Sequence, residues 1–158
     1  MEQVGVRLPV GPQIMNTGEP ALIPELKVSD FQKSLDFYIR LAQFSILYDR
    51  PEENFAMLEK EGARLMIELL EANDRWAVGE REYPLGQGIN FQIKVVDVQK
   101  LYDNFVLQGY PIFFEMEEKW YRKNDSEVGN RQFLIQDPDG YVLRFFQDLG
   151  ERVTKKTL

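Results

Sequence analysis

Apolar residues between Leu26 and Gln147 recur with two alternating periods, and the alternation runs through the chain twice. The segment Leu26-Lys27-Val28-Ser29-Asp30-Phe31-Gln32-Lys33 returns 67 residues later as Ile93-Lys94-Val95-Val96-Asp97-Val98-Gln99-Lys100. Each copy begins with an extended apolar run and reaches an Asp suited to accept a backbone N–H at a helix N-terminus. In the second copy Val98, Leu101, Tyr102, Phe105 and Val106 follow the spacing of one buried helical face, which Gly109 and Pro111 end. Phe31, Leu35, Tyr38, Ile39 and Leu41 do the same in the first copy.

Three strand-like segments follow each helix. They are Phe44–Arg50, Phe55–Lys60 and Arg64–Leu70 in the first copy, and Tyr110–Met116, Arg131–Gln136 and Tyr141–Gln147 in the second. Lys60-Glu61-Gly62 and Asp137-Pro138-Asp139-Gly140 supply the turn chemistry for equivalent hairpins. The predicted plan is βαβββ twice, an α+β fold with modules at about residues 21–72 and 88–150 of one domain spanning 21–150. Residues 1–20, with three Gly and three Pro and no sustained period, read as an irregular arm, and 151–158 as a polar tail. The connections Glu71–Gln87 and Glu117–Asn130 read as long loops carrying Trp76, Tyr83, Trp120 and Tyr121. Those aromatics either cover a ligand or close the core or a subunit interface.

Composition narrows the chemistry. With neither Cys nor His among 158 residues, the chain lacks thiolate nucleophiles, imidazole bases and the usual zinc ligands. The net charge of −7 and a pI near 4.8 argue against nucleic acid and favour cationic small partners. No apolar run has the length of a membrane span and no secretory signal pattern precedes the domain, so a cytoplasmic protein without a membrane partner is expected.

Strand parity separates two sheet faces. Leu26 with Val28, Leu65 with Ile67 and Leu69, Ile89 with Phe91, Ile93 and Val95, and Leu143 with Phe145 form core-facing rows. Opposite them lie Ile23, Glu25 and Lys27, then Met66, Glu68 and Leu70, then Asn90, Gln92 and Lys94, then Val142, Arg144 and Phe146. A charge within an apolar row needs a partner, so Glu68 and Arg144 read either as an ion pair with each other or as ligand contacts. Asn90 and Gln92 either satisfy neighbouring polar groups or meet a ligand.

The duplicated plan, Val28-Ser29-Asp30 with Ser34 and Phe37-Tyr38, and the stretch Phe133-Leu134-Ile135-Gln136-Asp137-Pro138-Asp139-Gly140-Tyr141-Val142-Leu143-Arg144 together resemble the glyoxalase/bleomycin-resistance superfamily, also called vicinal oxygen chelate proteins. The resemblance implies paired modules whose sheets curl around a pocket, commonly completed in a homodimer. It maps the metal-ligand positions of the metal-using members onto Ile23, Glu68, Asn90 and Arg144. That set offers one carboxylate, one amide, an aliphatic chain and a cation, so no metal cofactor and no metal-dependent catalysis is expected.

Pro24, Glu68 in Met-Ile-Glu-Leu, Arg144 and Gln147 are similar to the bleomycin-binding branch, whose members sequester a cationic glycopeptide unchanged. Where that branch has a pocket tryptophan before Gly, this chain has Glu127-Val128-Gly129, which leaves Trp76, Trp120 or Tyr121 to supply the stacking surface. The expected ligand contacts are Glu68, Asn90, Gln92, Arg144, Trp76, Trp120 and Tyr121, with no catalytic residue. The expected function is sequestration of a cationic or aromatic small molecule in an acidic intersubunit crevice. The alternative is a superfamily enzyme, a lyase, isomerase or dioxygenase, that recruits non-standard ligands such as Glu25 with Glu68 or uses a carboxylate as base.

Overall fold

The computed structural model describes residues 18–154; the arm read at residues 1–20 lies almost wholly outside them, as does the end of the tail. The first module runs β1 (Glu25–Val28), α1 (Phe31–Asp36), a π-helical turn (Phe37–Leu41), β2 (Ser45–Arg50), a short 3-10 turn (Pro51–Glu53), β3 (Phe55–Lys60) and β4 (Ala63–Leu69). The second runs β5 (Asn90–Lys94), α2 (Val98–Leu107), β6 (Phe114–Lys123), β7 (Ser126–Gln136) and β8 (Val142–Val153). Each module is a four-stranded mixed sheet, with orders β1-β4-β3-β2 and β5-β8-β7-β6. In both, the first strand pairs in parallel with the last, so the first and second strands run parallel at opposite edges of the sheet and a helix makes the crossover that joins them.

Both Asp caps form as the repeat predicts: Asp30 accepts from the Lys33 N–H and Asp97 from the Lys100 N–H, each at 3.0 Å. The helix-covered sides of the two sheets meet in one core that joins Leu26, Val28 and Ile67 to Phe133, Ile135, Leu143 and Phe145. Phe105 stands at its centre, within 6.4 Å of the rings of Phe37, Tyr110, Phe133 and Phe145. Truncating such a side chain to Ala costs about 3–5 kcal/mol. Polar bonds also tie the modules: Tyr38 Oη donates to Asp137 at 2.8 Å, the Ser29 N–H donates to Asp139 at 3.1 Å, and Tyr141 Oη donates to the Lys27 carbonyl at 3.0 Å. The Asp137–Gly140 turn must therefore be tight. Gly140 has φ +90°, and a Cβ there would stand 2.4 Å from Pro84.

Three expectations need correction. Glu117–Asn130 is not a loop: β6 and β7 continue as a hairpin closed at Lys123–Ser126, with Trp120 opposite Gly129 and Tyr121 opposite Val128. Charged residues on both faces hide the alternation there, because this part of the sheet extends beyond its helix. β8 likewise runs through Val153, into the stretch read as a tail. Ile89 and Val106, read as core, are 50% and 53% exposed. Ile89 precedes β5, and Val106 lies about 80° round the helix from Val98, at the flank of the apolar stripe.

Candidate functional site

Because the helix sides of both sheets face the shared core, their other faces turn outward and away from one another. The isolated polar groups separated by parity are thereby divided between two surfaces. Glu68, Lys27 and Glu25 lie on the first sheet, and Asn90, Gln92 and Arg144 on the second. Glu68 and Arg144 are consequently not partners. Lys27 stands opposite Glu68 in the parallel register and forms its ion pair, while Arg144 donates through Nη2 to Gln92, the residue opposite it.

On the first sheet the outer face opens into a cavity of about 450 Å³ bounded by Lys27, Arg50, Phe55, Glu68, Asp74 and Trp76, among others. Lys27 Nζ is shared among Glu68, Glu25 at 3.3 Å and Asp74 at 3.8 Å. Asp74 in turn accepts from Arg81 at 3.2 Å and from the Trp76 N–H at 3.0 Å, which anchors the connecting loop beside the cavity. Arg50 lies over the Phe55 ring, 3.8 Å from its centroid. The wall holds four carboxylates and three cationic side chains, so it is nearly charge-compensated rather than strongly acidic.

The electrostatics follow from this sharing. A hydrogen bond with Glu68, together with burial, raises the Glu25 carboxyl, while the hydrogen bonds from Glu25 and Lys27 lower Glu68. Burial depresses the Lys27 ammonium, but its bonds to Glu68 and Glu25 outweigh that effect, and its pKa is raised.

The second sheet carries a smaller pocket of about 230 Å³ lined by Asn90, Phe114, Glu117, Tyr121, Gln132, Leu134 and Arg144. It shares no residue with the cavity on the first sheet. Gln132, 2% exposed, donates through Nε2 to Glu117 at 3.0 Å and to Tyr121 Oη at 2.6 Å.

Of the expected contacts, Glu68 and Trp76 come together on the first face; Asn90, Gln92, Arg144 and Tyr121 come together on the second. Trp120 joins neither. It projects from the opposite side of β6, with its ring against Gly129 and Arg152 over it at 3.9 Å. Sequence reasoning missed Gln132 and Glu117 as pocket residues and Lys27 as the partner of Glu68. For Gln132 a signal was present, since alternation with the buried Phe133 and Ile135 puts it beside Leu134 on the outer face.

The donor set at the positions mapped by resemblance does not suit a divalent metal. Ile23 has no donor atom, Glu68 is neutralised by Lys27, Asn90 offers one amide oxygen, and Arg144 is cationic. No cluster of three carboxylates suited to a metal occurs among the described residues.

Two mixed sheets in this order, joined through one helix-lined core, are a duplicated βαβββ architecture. Residues 22–145 match the Glyoxalase/Bleomycin resistance protein/Dioxygenase superfamily, and the chain belongs to it. It is 28% identical over 138 residues to the Bleomycin resistance protein of Geobacillus stearothermophilus, a match covering 80% of this chain and 96% of that one. A Staphylococcus aureus protein of the same name matches with the same figures. Among solved structures, TioX from Micromonospora sp. ML1 has the same fold, with a TM-score of 0.61 at 20% identity over 82% of this chain and 100% of its own. A glyoxalase/bleomycin resistance protein/dioxygenase from Alicyclobacillus acidocaldarius gives 0.58 at 20% identity, over 86% and 96%. No helix among the described residues is long and apolar enough to cross a membrane.

Proposed function

We propose that the chain is a non-catalytic binding protein that sequesters a cationic or aromatic antibiotic of the bleomycin type in a crevice between two copies of the chain. The observation that carries this reading is the division of the polar groups between two outward faces, each with its own open cavity. The first-sheet half, with its exposed Trp76 and one carboxylate in excess of its cations, suits a planar group bearing positive charge. The amide-rich second-sheet half suits an uncharged polar group. Placed face to face in a homodimer, the halves would enclose a ligand larger than either cavity could hold alone. The likeness to proteins named Bleomycin resistance protein supports the choice of drug. Sequestration of this kind needs no metal, histidine or cysteine.

One feature favours a second reading, an enzyme with a carboxylate acid or base: Glu25 and Glu68 share a hydrogen bond, and the Glu25 carboxyl is raised. Calorimetric titration with bleomycin, followed by mass spectrometry of the recovered drug, separates the two. Saturable binding with the drug returned unchanged supports sequestration; a chemically altered drug, or no binding, contradicts it.

A further inference from the structure

Two residues that line the second-sheet pocket each carry a buried side-chain atom with no hydrogen-bond partner among the described residues, Gln132 Oε1 and Arg144 Nε. They are opposite in kind, an acceptor and a donor. In the β7–β8 register Gln132 faces Phe146 and Leu134 faces Arg144, so Gln132 and Arg144 are diagonal neighbours on one face. Both line the same pocket. Leaving such atoms unpaired costs free energy, a cost that a ligand supplying both missing bonds would remove.

The surroundings select the group. Gln132 Nε2 is already committed to Glu117 and Tyr121, which fixes its amide with the oxygen free to accept. A carboxylate placed there would meet that oxygen and the Glu117 carboxylate, and has no proton to donate. An ammonium or guanidinium would meet Arg144 and offers nothing for Nε–H to donate to. A neutral group with both a donor and an acceptor fits, and an amide, with its carbonyl for Arg144 Nε–H and its N–H for Gln132 Oε1, offers the two on separate atoms, as a hydroxyl does not, which suits two diagonal neighbours. Resting on the reading that the outer faces receive a ligand, we infer that this pocket is an amide subsite, which takes an uncharged carboxamide or peptide amide of the bound molecule and discriminates against both anions and cations.

Three probes with one ring and different head groups test this: benzamide, benzoate and benzylammonium. The readouts are the Gln132 side-chain amide and Arg144 Nε–H resonances in 15N-labelled wild-type protein. Benzamide is expected to move both signals at a concentration at least about ten-fold below the other two, as lost pairing of buried polar groups requires. Arg144→Lys, which keeps the charge and removes Nε–H, should abolish the benzamide response of the Gln132 amide signal, the readout that this variant retains. A stronger response to benzoate or benzylammonium, no response to any probe, or an unchanged response in Arg144→Lys overturns the inference. Bleomycin titrations keep the two proposals apart. Bleomycin binding without a benzamide response sinks the subsite and leaves sequestration standing, whereas a benzamide response without bleomycin binding does the reverse.

Discussion

Lys27 faces Glu68 across the parallel β1–β4 pair and holds it in an ion pair, so the cation at the centre of the first-sheet cavity belongs to the protein itself. Both side chains are about a quarter exposed, and such partly solvated pairs contribute about 0–1 kcal/mol. Lys27→Met should therefore cost no more than about 1 kcal/mol in denaturant unfolding. It should raise the Glu68 pKa, and it should strengthen binding of a cationic ligand by leaving Glu25, Glu68 and Asp74 without their shared cation. Weaker binding after this change would mean that Lys27 itself contacts the ligand.

Burial pushes Asp137 up to about 6, against bonds from Tyr38 and from the Tyr141 and Asp139 N–H groups that pull it down. The folded state therefore holds this proton more tightly than the unfolded chain, whose carboxyl titrates near 3.8. The Asp137 contribution to stability is greatest below the unfolded value and is lost as pH rises through about 6. Tyr38→Phe removes a donor from the charged form. It should cost about 1.5–3 kcal/mol well above pH 6 and less well below it, as read from denaturant midpoints. A pH-independent cost would show that Asp137 is not the group responding.

The two tryptophans should report differently. Trp76 is 68% exposed beside the first cavity, whereas Trp120 is packed between Gly129 and Arg152. Bleomycin should quench wild-type and Trp120→Phe fluorescence alike, and the response should vanish in Trp76→Phe. Gly129→Ala would bring a Cβ to 2.8 Å from the Trp120 ring and should cost about 1–3 kcal/mol through overpacking.

A homodimer is expected because both sheets end in strands with exposed apolar side chains, Ile46, Leu47 and Tyr48 on β2 and Phe114 on β6. Sedimentation at micromolar concentration should give twice the 18.6 kDa of the chain. A monomer at that concentration would remove the proposed crevice.

Much of this architecture was legible in the chain because the repeated segments carry local signals: Asp30 and Asp97 as caps, Gly109 as a helix stop, and the Asp137–Gly140 turn. Parity placed Glu68 and Arg144 opposite the core rows, since one buried face fixes the other. Parity cannot say which outer faces meet, and so the two charges looked like partners when each is satisfied within its own sheet. The β6–β7 extension was misread because, beyond its helix, neither face has to be apolar. The outer-face position of Gln132 is legible from its alternation with Phe133 and Ile135, but its buried, unpaired oxygen shows only in the fold.

The central claim, a crevice built by the first sheet of one copy and the second sheet of another, is tested most directly by mixing two defective variants. Glu68→Ala with Trp76→Ala disables the first-sheet face, and Asn90→Ala with Arg144→Met disables the second. Each homodimer should fail to bind bleomycin, because every crevice would contain one damaged face. After subunit exchange, half the dimers are mixed and each has one crevice with both faces intact, so roughly a quarter of wild-type binding should return. If mixing restores nothing while native mass spectrometry shows that mixed dimers have formed, the site lies within a single chain and the account is wrong.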